Sequence, residues 1–83
     1  MAVLLVRALV AGPGGVMTDE VGVVTGDLEL RTTLADGVLR AKVRYEGADE
    51  WYAVTGAACR VADPRDHAAV HQVLLGVLHR PTG

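Results

Sequence analysis

Few side chains in this sequence could do chemistry: three histidines, one cysteine, and a group of cations crowded into one stretch. His67 and His71 stand four apart, the spacing that turns two imidazoles to one side of a helix, and Cys59 and Asp63 precede them at a strand-to-helix junction. That is half of a metal site. Two ligands do not hold an ion, and no CxxC or paired Cys/His spacing completes the set. The expectation is therefore no metal, with His67 and His71 as the only candidate ligands. Cys59 beside one of those histidines has the residue types of a nucleophile and its base. A catalytic thiol also needs a depressed pKa, an oxyanion donor and an orienting third group, whereas the flanking Ala57, Ala58 and Val61 are packing residues. Gly12-Pro13-Gly14-Gly15 follows an apolar run, as phosphate-binding loops do. It lacks GxxxxGK[ST] and GxGxxG, and Pro13 has no N–H to offer an anion. The chain is accordingly expected to bind no cofactor and to be no enzyme.

The cations are the most informative group. Asp27 to Glu46 reads as one β-hairpin closed by Asp36-Gly37, a pair suited to a two-residue turn with positive φ at both positions. With Ala35 facing Val38, the turn places Leu34 with Leu39, Thr32 with Ala41, Leu30 with Val43 and Leu28 with Tyr45 on a core face. Thr33 with Arg40, Arg31 with Lys42, Glu29 with Arg44 and Asp27 with Glu46 fall on the opposite face. Like charges directly opposed on a sheet are unfavourable. Arg31 against Lys42, with Arg40 and Arg44 diagonal to Arg31 and Trp51 continuing the face, thus marks a cationic surface with one aromatic. Its expected users are a protein partner or an anionic ligand, with nucleic acid as the less favoured alternative.

The remaining elements must position these groups. Ala2 to Val10 is apolar on both strand faces except at Arg7, which suits a central strand, with a short helix as the competing reading. The glycine-rich run at 12 to 15 is a loop, Thr18 to Glu20 a bend, and Val21 to Thr25 a second strand returning along the first. After a turn at Gly47 to Glu50, pairing Glu46 with Trp51 sets Tyr45 against Tyr52 and Val43 against Val54, and Gly56 marks a bulge. Asp63-Pro64-Arg65-Asp66 starts a helix that Pro81 ends by about His79. Its predicted core arc is Ala69, Val70, Val73, Leu74 and Val77, which leaves Leu75 and Leu78, edged by His71, as a second apolar strip for a two-fold dimer.

Composition sets the limits. At 83 residues the chain is one small domain, 1–83, of α+β class: an antiparallel sheet of four to five mostly meander-connected strands with a C-terminal helix on one face. Apolar residues and glycine make up about 60% of it, above the roughly 45–50% usual for soluble domains, which favours a homo-oligomer. A net charge of -2 argues against general coating of nucleic acid. One cysteine excludes an intrachain disulfide framework and fits a reducing, cytoplasmic setting. Met1 to Val6 lacks a basic leader and soon meets Arg7, so no signal peptide or membrane span is expected there. The chain has no Ser, Asn, Ile or Phe and favours Arg over Lys, the bias of GC-rich coding sequence in a bacterium or phage. Together these features predict a small interaction or regulatory module that works by binding, the alternatives being a nucleic-acid-binding or inhibitor protein using the cationic sheet face and a small enzyme or metal-binding protein using Cys59, His67 and His71.

Overall fold

The computed structural model describes residues 3–81. They form an antiparallel sheet and one helix, in the order β1 (Val3–Thr18), β2 (Gly22–Ala35), β3 (Val38–Tyr45), β4 (Tyr52–Ala53), β5 (Cys59–Arg60), a 3-10 turn (Pro64–Asp66) and α1 (His67–Leu78). The strands lie side by side as β1-β2-β3-β4, with β5 also on β3, an α+β meander with one C-terminal helix.

The turn between β2 and β3 adopts positive φ at Asp36 (53°) and Gly37 (75°), as its residue types demand. It sets the register from Ala35 opposite Val38 through to Leu28 opposite Tyr45, each pair as the alternation requires. On the inner face Leu30, Thr32, Leu39 and Val43 are fully buried. Each large aliphatic side chain among them stabilises by about 1.5–3 kcal/mol relative to exposure. In the last pair Leu28 is buried while Tyr45, opposite it, stays exposed, so the core reaches this pair from β2 alone.

Four features differ from the reading of the sequence. First, β1 is an edge strand of the meander and not a central one: it pairs with β2 on one side, and its apolar character reflects exposure at Val3, Leu4 and Val6. Second, residues 12–15 are a bulge inside β1 instead of a loop between strands. Ala11 faces Gly26 and Val16 faces Val24, so four residues of β1 stand against Thr25 alone. Gly15 makes this possible: its φ is +67°, and a Cβ there would meet Val23 and lie 2.6 Å from the Val24 carbonyl oxygen. The bulge bends β1 until Thr18 bridges Val54, so the sheet curls towards closure. Third, β4 pairs two residues away from the expected register, Val43 facing Tyr52 and not Val54, because the connection from Glu46 to Trp51 is a longer loop. A two-residue slip preserves the face of every side chain. Gly56, with φ +77°, then carries the chain out before β5 rejoins β3 at Val38 and Leu39.

The fourth concerns α1. Asp63 caps the 3-10 turn, its Oδ1 accepting from the Arg65 N–H at 2.9 Å, with Pro64 at the first position. The face turned to the sheet carries His67, Val70, His71, Leu74, Leu75 and Leu78, whereas Val73 and Val77 are 65% and 61% exposed. The helix is therefore rotated from its expected setting. His71, Leu75 and Leu78 are not a free strip for self-association, since His71 is buried and both leucines pack on the core. No helix among the described residues is long and apolar enough to cross a membrane.

Candidate functional site

Helix rotation has a specific cause in the sheet beneath it. Thr32 is a fully buried hydroxyl among the aliphatic inner-face residues Leu30, Leu34, Leu39, Ala41 and Val43, and a buried hydroxyl without a partner is costly. Its Oγ1 lies 2.9 Å from His67 Nε2 and 2.7 Å from His71 Nδ1, with all three residues buried. A threonine hydroxyl has one proton, so it donates to an unprotonated ring nitrogen of one imidazole while accepting from a ring N–H of the other. The far nitrogens, His67 Nδ1 and His71 Nε2, are buried without a partner among the described residues. Burial foremost, with the charges of His67 and Arg7 adding to it, holds the His71 pKa below its ordinary value. The four-residue spacing of the histidines thus serves one threonine. No group of three or more His, Cys, Asp or Glu placed to hold a metal occurs among the described residues. Cys59 is exposed on β5 and hydrogen-bonds with neither buried imidazole. The signal for this triad was in the sequence, as a polar residue on an apolar strand face with two histidines on the covering helix, but the aliphatic stripe outweighed it.

The outer face of the sheet carries no helix. Here β2 contributes Glu29, Arg31 and Thr33, and β3 contributes Arg40, Lys42 and Arg44, cross-paired as expected. Arg31 and Arg44 do not simply repel. Trp51, from the loop before β4, contacts both, with the Arg31 guanidinium carbon 4.2 Å and the Arg44 guanidinium carbon 4.5 Å from its ring centroid. Contact of a cation with an indole ring is worth about 0.5–1 kcal/mol per cation at a partly exposed site. Glu29 Oε1 accepts from Arg44 Nε at 2.9 Å and fixes that guanidinium further. Arg31 Nε is buried with no acceptor among the described residues. Lys42 and Arg40 complete the cluster beside a cleft of about 350 Å³, which opens where the chain leaves β3 between β4 and β5. Small residues Gly56, Ala57 and Ala58 line its other side. All five residues expected on the cationic face, Arg31, Arg40, Lys42, Arg44 and Trp51, are therefore brought to one surface.

The same face is not uniformly positive. Asp27 and Glu46 lie at one end of it, bonded through Glu46 N–H to the Asp27 carbonyl oxygen at 3.0 Å. On the side of β1, Leu4, Val6 and Ala8 stand opposite Thr33, Arg31 and Glu29 and are exposed. The surface thus runs from an aliphatic margin through a cationic and aromatic centre to the cleft. Comparison of the chain with family models, curated proteins and solved structures gives no match.

Proposed function

We propose that this chain is a binding module whose working surface is the outer face of the sheet, taking an acidic segment of a protein partner. One observation carries the reading: Arg31 and Arg44 are pre-ordered against Trp51 on an uncovered face, with Lys42 and Arg40 beside them and Glu29 the one acid among them. Stacking removes rotamer freedom from both guanidiniums before a partner arrives, which lowers the entropic cost of pairing them with carboxylates.

A protein is favoured over nucleic acid for two reasons on the same surface. Leu4, Val6 and Ala8 offer apolar contact that a phosphate backbone does not use. Asp27 and Glu46 would repel a charged polymer that ran the length of the face. The test is calorimetric titration with a peptide alternating Glu and Leu, beside a single-stranded oligonucleotide of equal charge, at low and moderate salt. Tighter binding of the peptide supports the reading, tighter binding of the oligonucleotide transfers the surface to nucleic acid, and binding of neither refutes both.

A further inference from the structure

β-Strand edges are sticky because their outward N–H and C=O groups lack partners, and this chain covers its edges one by one. At β4, the Ala53 N–H donates to Glu20 Oε1 at 2.8 Å and the Ala53 carbonyl oxygen accepts from the Asp19 N–H at 3.0 Å. At β1, the Val10 N–H donates to His79 Nδ1 at 3.0 Å and the Val10 carbonyl oxygen accepts from the Arg80 N–H at 2.7 Å. The Met17 carbonyl oxygen, further along, accepts from the Thr55 N–H.

On β1, one stretch has no such partner among the described residues. Both backbone groups of Val10 point away from β2, and in an antiparallel pair that direction alternates. The backbone groups of Leu4, Val6 and Ala8 therefore also point outward, and β1 has no strand beside it there among the described residues. The same three side chains are exposed, Leu4 at 53% and Val6 at 41%. Leu4, Val6 and Ala8 carry no proline, bulge or charge, and the single charge of the segment, Arg7, lies on the opposite face.

We infer that this edge pairs with the same edge of a second copy, antiparallel about a two-fold axis at Val6. In that register Leu4 faces the partner's Ala8 and Val6 faces the partner's Val6, each narrow pair exchanging two hydrogen bonds, about six in all. Leu5 faces the partner's Arg7, so the two arginines are diagonal and never directly opposed. Val3 faces the partner's Leu9, and the pairing stops at Val10, where His79 and Arg80 already occupy the edge. The open segment is thus symmetric about its own midpoint, and a copy of itself supplies the apolar side chains that cover it on both faces. The dimer would join two sheets into one and set its aliphatic seam between two cationic centres. It stands independently of what those centres bind.

The experiment is sedimentation equilibrium of the wild-type chain over a wide concentration range, with Val6→Glu and Val6→Lys variants alone and mixed. Within one chain a carboxylate at position 6 lies opposite Arg31 and preserves the fold, whereas across the axis it meets its own copy. The wild type should reach the mass of two chains. Each variant alone should raise the dissociation constant by about tenfold or more, and the mixture should recover a heterodimer. Should either variant fail to fold, hydrogen exchange of the wild type decides: amides of Leu4, Val6 and Ala8 should be protected only when concentrated, those of Leu5 and Arg7 at every concentration. A one-chain mass at the highest soluble concentration, a dimer indifferent to both variants, or unprotected Leu4, Val6 and Ala8 amides in a dimer would overturn the inference.

Discussion

At the scale of single residues, the Thr32 hydroxyl decides how the helix sits. Replacing Thr32 by Val keeps the shape and leaves His67 Nε2 and His71 Nδ1 facing an apolar surface, so Thr32→Val should cost about 1–3 kcal/mol in chemical denaturation. An unchanged midpoint would show the contacts to be incidental. The same group predicts a pH dependence whose sign follows from burial. The folded-state pKa of His71 lies below the ordinary value of 6.5, so the unfolded chain takes up the proton first. Stability should be level above about pH 6.5, fall as pH drops towards the lowered folded-state value, and level off below it. His71→Leu should flatten the part of that decline due to His71, and thermal melts from pH 8 downwards would read it. Gly15 is a second decisive residue. Gly15→Ala forces a Cβ against Val23 and the Val24 carbonyl oxygen at positive φ, and the variant should lose more than the ordinary Gly-to-Ala effect of about 0.4–1 kcal/mol, in the destabilising direction.

Elements differ in how much of their placement a sequence can show. The hairpin of β2 and β3 was legible to the residue because three constraints coincide: period-2 alternation, a turn dipeptide with one favoured geometry, and charges segregated to one face. Gly37→Val, which puts a β-branched side chain at φ +75°, should therefore destabilise strongly and be visible as a lowered melting temperature. The end of α1 was readable from Pro81, and its start to within a turn, since Asp63 and Pro64 open a 3-10 turn and α1 itself begins at His67; its orientation was not readable. Ala68, Ala69, Val70, Val73, Leu74, Leu75, Val77 and Leu78 surround most of the helix with apolar groups, so hydrophobicity alone defines no single face, and the two polar residues aimed at Thr32 resolve it. Val73→Lys should accordingly be near neutral, while Leu74→Lys should unfold the chain or loosen the helix, a contrast that melting curves of the two variants would display. The edge position of β1 was hidden for a related reason. Apolar residues on both faces read as burial on both sides, whereas here they report exposure at Leu4 and Val6. The cationic site was legible as a set of residues, but the contact of Trp51 with both Arg31 and Arg44 depends on the path of the loop after Glu46, which no pairing rule specifies.

On the scale of the whole molecule, polarity is divided by the curl of the sheet. The inside holds the aliphatic core and the Thr32 cluster under α1, and the outside holds the ordered cations, the cleft beside Arg40 and Lys42, and the aliphatic margin of β1. This division reconciles an acidic chain with a cationic working surface, since the acids Asp63, Asp66, Glu20 and Asp19 lie at turns and the helix start instead of among the stacked arginines. It also supplies its own reporter. Trp51 is the sole tryptophan of the chain and sits within the proposed surface. The most direct measurement is therefore a Trp51 fluorescence titration with an acidic, leucine-containing peptide, in the wild type and in Lys42→Glu. A saturable change that weakens as salt is raised and is lost in Lys42→Glu is the predicted result. No change on adding the peptide, or a change identical in the two proteins, would contradict the claim that this face is where the protein binds.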